Sequence, residues 1–282
     1  MEEKKLKERI CIGILAHVDA GKTTLSEEIL YRTGAIRNRG RVDNRDTFLD
    51  TDDQERARGI TIFSKQAVFP LGDWEVTLLD TPGHVDFSAE MERTLSVLDY
   101  AVLIVSGADG VQGHTETLWR LLKRYQVPVF LFVNKMDQPG TDRAALLKEL
   151  KKRLSDTCVA FDQEGRNEWQ EEIAMCDEHL LEGYLSGNPI EENQIREMIR
   201  ARKLFPCYFG SALKGQGVEE LLEGIHVYAR CWEKDGEKEG LGARVYKISR
   251  DEQGSRLTHL KILSGILKVK DTISGKQGEE KV

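Results

Sequence analysis

The chain has 282 residues, which is enough for two domains and a large buried core. Its 41 Lys and Arg against 48 Asp and Glu give a net charge of −7, which excludes a basic protein that binds nucleic acid over its whole surface. The N-terminal sequence MEEKKLKERI lacks the apolar segment of a signal peptide, and no apolar run elsewhere is long enough to cross a bilayer.

The five cysteines are scattered through the sequence, and none of them forms a CxxC pair. This spacing disfavours a disulfide framework or a zinc site and favours reduced thiols. We therefore expect a cytoplasmic protein with no membrane partner. The cysteines are Cys11, Cys158, Cys176, Cys207 and Cys231.

Strand-like apolar segments alternate with helical patterns in the first part of the chain. This alternation predicts an α/β fold with a mostly parallel sheet and helices on both faces. The short turn Leu71-Gly72-Asp73 predicts an antiparallel hairpin, so one edge strand should run against the others. The predicted strands are 10–15, 61–69, 74–79, 101–105 and 127–133, and the predicted helices are 24–31, 87–98, 115–125 and 144–154.

The turn AHVDAGKTT, residues 16–24, joins the first predicted strand to the first helix. It departs from the phosphate-binding pattern GxxxxGK[ST] only at Ala16, which replaces the first Gly. Backbone N–H groups in such a turn point at phosphates, Lys22 reaches the β- and γ-phosphates, and the Thr23 hydroxyl can bind Mg²⁺. The alternative is a glycine turn before an ordinary helix. The predicted nucleotide contacts here are Asp19, Ala20, Gly21, Lys22, Thr23 and Thr24.

Residues 33–59 show no clear period and end in the charged sequence ERARGITI, residues 55–62. A loop of this length inside a compact domain is usually functional or mobile. Its place between the phosphate-binding helix and the next strand predicts a switch segment, in which Thr61 closes over Mg²⁺ and the γ-phosphate. The alternative is a solvated loop.

The sequence DTPGH follows a predicted strand, which places it at the ligand side of the sheet. Asp80 can hold Mg²⁺ through water, and Gly83 allows its N–H to approach a γ-phosphate. His84 is a candidate for orienting the attacking water, although an isolated histidine is more often an ordinary surface residue.

The sequence NKMD follows the strand predicted at 127–133 and indicates a guanine site. The Asp137 carboxylate can accept hydrogen bonds from N1 and the 2-amino group of guanine, whereas adenine offers no such pair of donors. Asn134 would brace the loops, and the Lys135 stem would cover the base. The tripeptide Ser211-Ala212-Leu213 would add a backbone N–H for the guanine oxygen.

The remaining sequence predicts two further features. A helical insertion is expected at about 158–204, with helices from Trp169 to Leu185 and from Glu191 to Lys203. Trp169 should form a small core of its own, and a helix at 218–228 closes the first domain. Beyond a charged, glycine-rich linker, strands are predicted at 243–249, 256–263 and 266–269. We therefore expect a GTP-binding domain at 1–235 and an incomplete β-barrel domain at 241–282.

The five motifs AHVDAGKT, ERARGITI, DTPGH, NKMD and SAL occur in the order found in translational GTPases, which the first 230 or so residues resemble. The chain is most similar to elongation factor G and to the tetracycline-resistance ribosomal protection proteins, through GAIRNRGRVD, LSVLDYAVLIVSGADGVQ and RLTHLKILSGILKVKDTI. The resemblance implies a P-loop GTPase domain followed by the start of a β-barrel. It also implies a monomer whose partner is the ribosome and not DNA.

The resemblance implies a role for several motif residues. Lys22 and Thr23 match the residues that bind phosphate and Mg²⁺, and Thr61 and Gly83 match those that sense the γ-phosphate. His84 matches the histidine that positions water once ribosomal RNA orders it.

Three more positions match the family pattern. Asp19 stands at the site for a monovalent cation, K⁺ or Na⁺, while Val18 and Ile60 match the apolar pair that flanks the histidine. The implied catalytic set is Asp19, Lys22, Gly83 and His84, and the implied metal ligands are Thr23, Thr61 and Asp80.

The predicted function is Mg²⁺-dependent, ribosome-stimulated hydrolysis of GTP to GDP and phosphate within a translation factor, such as a ribosomal protection protein. One alternative is a docking module that binds GTP but hardly hydrolyses it. Another is a translocation factor similar to elongation factor G. A P-loop enzyme that uses ATP is disfavoured by the NKMD sequence.

Overall fold

The computed structural model describes residues 8–40, 65–81, 88–161, 166–230, 240–250, 253–275 and 278–281. The chain divides into two compact units, Met1–Cys231 and Trp232–Val282. Within the described ranges, none of the helices has the length and apolar character needed to span a membrane.

One sheet organises the first unit, and the described residues contribute seven strands to it. The strand order is β2-β3-β1-β4-β5-β7-β6, and neighbours run parallel except in the β2–β3 hairpin. The predicted mostly parallel sheet with one antiparallel edge strand is therefore confirmed. The strands are β1 (Glu8–Ala16), β2 (Lys65–Leu71), β3 (Trp74–Asp80), β4 (Tyr100–Ser106), β5 (Val129–Asn134), β6 (Cys158–Ala160) and β7 (Phe205–Phe209).

Helices cover this sheet, and those predicted at 24–31, 115–125 and 144–154 end within two residues of their expected limits. The helices of the described residues are α1 (Lys22–Arg32), α2 (Ser88–Leu95), α3 (Gly113–Arg124), α4 (Arg143–Arg153), α5 (Arg166–Ala174), α6 (Glu178–Leu185), α7 (Glu192–Arg200) and α8 (Val218–Tyr228).

The central strands are buried on both faces. Every residue of β4 and β5 is buried, and successive residues of β5 belong alternately to two apolar clusters. Phe130 and Phe132 lie in one cluster, while Leu131 and Val133 lie in the other. A strand with helices on both faces is apolar at nearly every position, which explains why these segments lack the alternating pattern of a half-exposed strand.

The region predicted as a helical insertion differs from expectation in three ways. Residues Cys158–Ala160 form the edge strand β6, so the insertion begins after this strand. The predicted helix from Trp169 to Leu185 is broken into α5 and α6, because Asp177 caps α6 by accepting from two backbone N–H groups. Trp169 packs edge-on against Phe161, with ring centroids 5.0 Å apart, and against the main core. The prediction of a separate small core is therefore wrong.

In the second unit, the described residues form two antiparallel strand pairs. They pair β8 (Gly242–Arg250) with β9 (Arg256–Ser264), and β10 (Thr272–Gly275) with β11 (Gly278–Lys281). The strands predicted at 243–249 and 256–263 are confirmed, whereas the strand predicted at 266–269 is wrong. Ile266 and Val269 are 75% and 85% exposed, and a turn follows in which the Asp271 N–H donates to the Lys268 carbonyl.

Candidate functional site

The motifs meet at the carboxyl edge of the sheet. Strands β1, β3, β5 and β7 run parallel through this region, so the segments that follow them emerge at the same edge. The registers bring Asp80 opposite Ile14 of β1, and Asn134 opposite Ser106 of β4. Ligands of open α/β sheets bind at this edge.

The loop between β1 and α1 has a tightly constrained backbone. Asp19 and Gly21 adopt positive φ angles of 62° and 94°, and Gly21 precedes the first helical residue. A Cβ atom on Gly21 would lie 2.2 Å from Asn134 Nδ2, so both the backbone angle and the neighbour require glycine. Gly21 is the N-cap residue of α1 and has no side chain that could cap the helix. The N–H groups of its first turn are therefore suited to an anionic ligand.

Lys22 forms a buried ion pair with Asp80 next to this loop. The distance from Lys22 Nζ to Asp80 Oδ1 is 2.7 Å, and the two side chains are 9% and 0% exposed. The Thr81 hydroxyl donates to the Ile14 carbonyl at 2.6 Å, which fixes the end of β3 beside β1. The ion pair thus joins the predicted phosphate-binding ammonium to the predicted magnesium-binding carboxylate.

Asn134 connects three loops at the other side of the site. Its Nδ2 donates to the Ala20 carbonyl at 2.9 Å, and its Oδ1 accepts from the Ala212 N–H at 2.8 Å. The Met136 N–H also donates to the Gly210 carbonyl at 3.0 Å. One buried amide therefore links the phosphate loop to both loops predicted to bind the base.

Asp137 is held in its ionised form. A hydrogen bond from the Ser211 hydroxyl is the main cause that lowers the pKa of this carboxyl group, and it outweighs the opposing effect of desolvation. The Lys214 ammonium, 3.4 Å from Asp137 Oδ2, contributes in the same direction. An ionised carboxylate is an acceptor only, which suits a partner with two adjacent N–H donors.

These loops border a cavity of about 230 Å³. The predicted site residues that line it are Gly21, Thr24, Asn134, Lys135, Asp137, Ser211, Ala212 and Leu213. The cavity is also lined by five residues that were not predicted from the sequence: Glu27, Glu28, Arg39, Gly40 and Gln138.

The remaining predicted residues differ in what the structure describes. Asp19 is exposed in the phosphate loop, Ala20 is buried, and Thr23 is half-buried in the first turn of α1. The predictions for Ile60, Thr61, Gly83 and His84 concern positions that lie outside the described residues.

The missed residues Glu27 and Glu28 are buried although both are acidic, at 2% and 1% exposure. Glu27 Oε2 accepts from the Gly40 N–H at 3.1 Å, and Glu28 pairs with Arg32. A sequence signal does exist for Glu28, because it lies three residues after Leu25 and therefore on the inward face of α1.

Residues 7–230 match the family described as the elongation factor Tu GTP binding domain. The chain belongs to this family. The resemblance to translational GTPases is thereby confirmed, and the nucleotides of this GTP-binding domain are GTP and GDP.

Several relatives of this GTP-binding domain are tetracycline resistance proteins. TetO of Streptococcus mutans is 39% identical over 279 residues, which are 94% of this chain and 44% of TetO. TetM from transposon Tn5251 of Streptococcus pneumoniae is 40% identical over 281 residues, with the same coverages. The narrower similarity to tetracycline-resistance proteins is thus confirmed.

A solved structure shares the fold. The crystal structure of ttk003000868 from Thermus thermophilus matches with a TM-score of 0.86 and 28% identity, covering 98% of this chain and 48% of that one. The chain thus spans a little less than half the length of these relatives.

Proposed function

We propose that this domain binds GTP with Mg²⁺ and hydrolyses it to GDP and phosphate as part of a ribosome-associated translation factor. The observation that carries the proposal is the cavity in which an ionised Asp137 is joined through Asn134 to the phosphate loop. A guanine base at Asp137 and phosphates at Gly21 would occupy its two ends.

The base contacts follow from the donors and acceptors at the pocket. Asp137 would accept from N1 and the 2-amino group of guanine while Ser211 and Lys214 keep it ionised. The Ala212 N–H already donates to Asn134, so we assign the guanine oxygen to the Leu213 N–H. The Lys135 stem would cover the base plane.

The phosphate contacts require Lys22 to change partners. Lys22 Nζ now donates to Asp80, and it would turn to the β- and γ-phosphate oxygens when nucleotide binds. The residues fit Mg²⁺, because the Thr23 hydroxyl and the Asp80 carboxylate supply the oxygen donors that this ion prefers, with Thr61 as the third ligand. The bound ion would screen the charge of the phosphates.

Hydrolysis is assigned to residues around the γ-phosphate. In this proposal His84 orients the attacking water, Gly83 contacts the γ-phosphate through its N–H, and Asp19 holds K⁺ or Na⁺. This cation would stand where other GTPases place an arginine. The transition-state charge would then be shared between Lys22 and the cation.

The partner proposed for the full-length protein is the ribosome, with the protein acting as a cytoplasmic monomer. Two roles remain open for it: relief of tetracycline inhibition, supported by the relatives TetO and TetM, and translocation similar to that of elongation factor G. Expression of the full-length protein in a tetracycline-sensitive host separates them, since only the first predicts growth in the drug.

Nucleotide titration tests the proposed activity of the 282-residue chain. Fluorescent GDP should bind and be displaced by GDP and GTP but not by ADP, and GTP hydrolysis should need Mg²⁺ and stop with EDTA. GTP binding without turnover, even in the full-length protein with ribosomes, would favour a docking module. If ADP displaced the fluorescent GDP as well as unlabelled GDP does, the guanine assignment would be overturned.

A further inference from the structure

An ion-pair network around the buried Glu28 connects α1 to the loop that borders the base pocket. Arg32 Nε donates to Glu28 Oε1 at 2.7 Å, and Arg32 Nη2 donates to the Gly215 carbonyl at 2.6 Å. Arg32 Nη1 donates to Glu219 Oε2 at 2.9 Å. The guanidinium therefore spans from one helix to the loop and to the start of another helix.

The charges of this network fit one another closely. Glu28 is 1% exposed, and burying a carboxylate is costly unless a cation is paired with it. Hydrogen bonding to Glu28 is the main cause that raises the pKa of Arg32 above its ordinary value. A planar guanidinium can hold a carboxylate and a carbonyl at fixed angles, which a lysine cannot do.

The loop is packed directly onto the network. Gly215 has a φ of 70°, and a Cβ atom there would lie 2.7 Å from Glu28 Oε1 and 2.9 Å from Arg32 Nη2. The loop is also closed on itself, because Ser211 and Gln216 exchange two backbone hydrogen bonds of 3.0 Å each. A movement at Gly215 is therefore transmitted to Ser211.

Three loop residues, Ser211, Ala212 and Lys214, contact the base-reading side chains, and the Lys214 ammonium lies 3.4 Å from Asp137 Oδ2. Ser211 donates to Asp137, and the Ala212 N–H donates to Asn134. Neither Arg32 nor Glu219 lines the cavity, so Arg32 can act on the base only through its neighbours, which are this loop and Glu28.

We propose that Arg32, oriented by Glu28, is a positioning residue for guanine recognition, because it fixes the loop 211–216 that places Ser211 against Asp137. The proposal rests on the guanine assignment made above. It goes further by extending base specificity to a side chain on α1 that does not line the cavity.

A second arginine with similar contacts but far from the pocket provides a matched control. Arg196 Nη2 donates to Glu192, four residues earlier, at 3.1 Å, and Arg196 Nε donates to the Val227 carbonyl at 2.6 Å. The Arg196 side chain is 27% exposed, against 29% for Arg32. Neither Arg196 nor Val227 lines the cavity.

The test compares GDP with IDP in Arg32→Gln, Arg32→Lys and Arg196→Gln variants of the 282-residue chain. IDP lacks the 2-amino group but has the same ribose and phosphates. A smaller folded fraction weakens the apparent binding of GDP and IDP by the same factor, so the ratio of the two dissociation constants does not depend on it. In Arg32→Gln we expect GDP to bind about tenfold more weakly and IDP about threefold more weakly, because a hydrogen bond to a charged group contributes roughly tenfold or more in affinity. Arg32→Lys should be intermediate, and Arg196→Gln should leave both constants unchanged.

The outcomes separate this inference from the proposed function. Equal weakening of GDP and IDP in Arg32→Gln would assign Arg32 to stability alone and overturn the inference, as would unchanged binding of both. If Arg32→Gln does not fold, Arg32→Lys gives the deciding ratio. If the unaltered chain itself fails to prefer GDP to IDP, the guanine assignment fails first, whatever the variants do.

Discussion

In the proposed function, Asp137 is the single carboxylate that determines the choice of base. We expect Asp137→Asn to weaken GTP binding by about 2–3 kcal/mol, because the amide offers a donor where guanine also presents donors. Xanthine nucleotides, which present an acceptor at the 2-position, should recover most of the loss. Competition binding with GTP and XTP measures both effects.

A matched carboxylate controls for this substitution. Asp109 accepts a hydrogen bond from the Ser106 hydroxyl at 2.6 Å, as Asp137 accepts one from Ser211, but Asp109 does not line the cavity. Asp109→Asn should leave GTP affinity unchanged. Normal GTP binding by Asp137→Asn would remove Asp137 from the base site.

A side chain at position 21 would cause both backbone strain and a steric conflict, and a control substitution separates the two effects. Gly21→Ala should lower both the free energy of unfolding and the nucleotide affinity, by about 1–2 kcal/mol for the positive φ and about 1–3 kcal/mol more for contact with Asn134. Gly140→Ala is the control, since Gly140 has a φ of 88° but nothing within 4 Å of its Cβ position. Urea unfolding should show a smaller loss of unfolding free energy for Gly140→Ala than for Gly21→Ala, and GDP titration should show no loss of affinity for Gly140→Ala. Equal losses of unfolding free energy in the two variants would exclude the conflict with Asn134.

A substitution at His84 should impair GTP hydrolysis without impairing nucleotide binding. We expect His84→Ala to keep GDP and GTP affinity, because the phosphate loop and base pocket are unchanged. Ribosome-stimulated hydrolysis by the full-length protein should fall by about 10²-fold or more. Single-turnover assays measure the rate, and equal turnover by both proteins would exclude His84 from the mechanism.

At the scale of elements, the cap of α6 makes a pH-dependent contribution to stability. A hydrogen bond from Lys203 is the main cause that lowers the pKa of Asp177, which also accepts from the His179 and Leu180 N–H groups. A lowered folded-state pKa stabilises the fold above the ordinary carboxyl pKa, and this contribution is lost as the pH falls below about 4.

Two substitutions distinguish the stability that Asp177 contributes as a helix cap from the stability that its charge contributes. Asp177→Ala should cost about 1 kcal/mol at pH 7 and much less at pH 3, while Asp177→Asn should keep part of the cap and lose the pH dependence. Urea unfolding at the two pH values measures this. A cost for Asp177→Ala that is the same at both pH values would contradict it.

The elements show which parts of the fold could be predicted from the sequence. The strands β4 and β5, apolar except for their last residues, were predictable because both faces are buried, and their lengths follow from their flanking turns. The segment 266–269 is also mainly apolar, but Ile266 and Val269 are exposed, so composition alone could not distinguish it from a strand. The loop positions of NKMD and SAL were predictable from strand order. The Glu28–Arg32 network was not, because its partner Gly215 lies 183 residues away from Arg32.

At the scale of the molecule, this chain covers 44% of the length of TetO and TetM. An assay of the 282-residue chain therefore tests nucleotide chemistry without the remaining part that those relatives contain. We expect it to bind GTP and GDP, hydrolyse GTP slowly and respond weakly to ribosomes. A partner typically accelerates GTPases by about 10³ to 10⁵, and several linked contacts raise its effective concentration. A net charge of −7 gives little attraction to RNA.

Steady-state assays with and without ribosomes measure this response. The full-length protein is the matched control under the same salt conditions. If the 282-residue chain reaches the same stimulated rate, the contacts made by this chain alone are sufficient for activation.

The amide of Asn134 spans from the Ala20 carbonyl to the Ala212 N–H, and so it fixes the separation between the two ends of the pocket. In the proposed binding mode a nucleotide would be a bivalent ligand on a rigid support, because its base and its phosphates are two anchors joined by a ribose. Once one anchor is bound, the other meets its loop at high local concentration, with little further loss of conformational entropy. Such a support discriminates by the length of the ligand as well as by its ends, which disfavours molecules that carry a correct base or a correct phosphate at the wrong spacing.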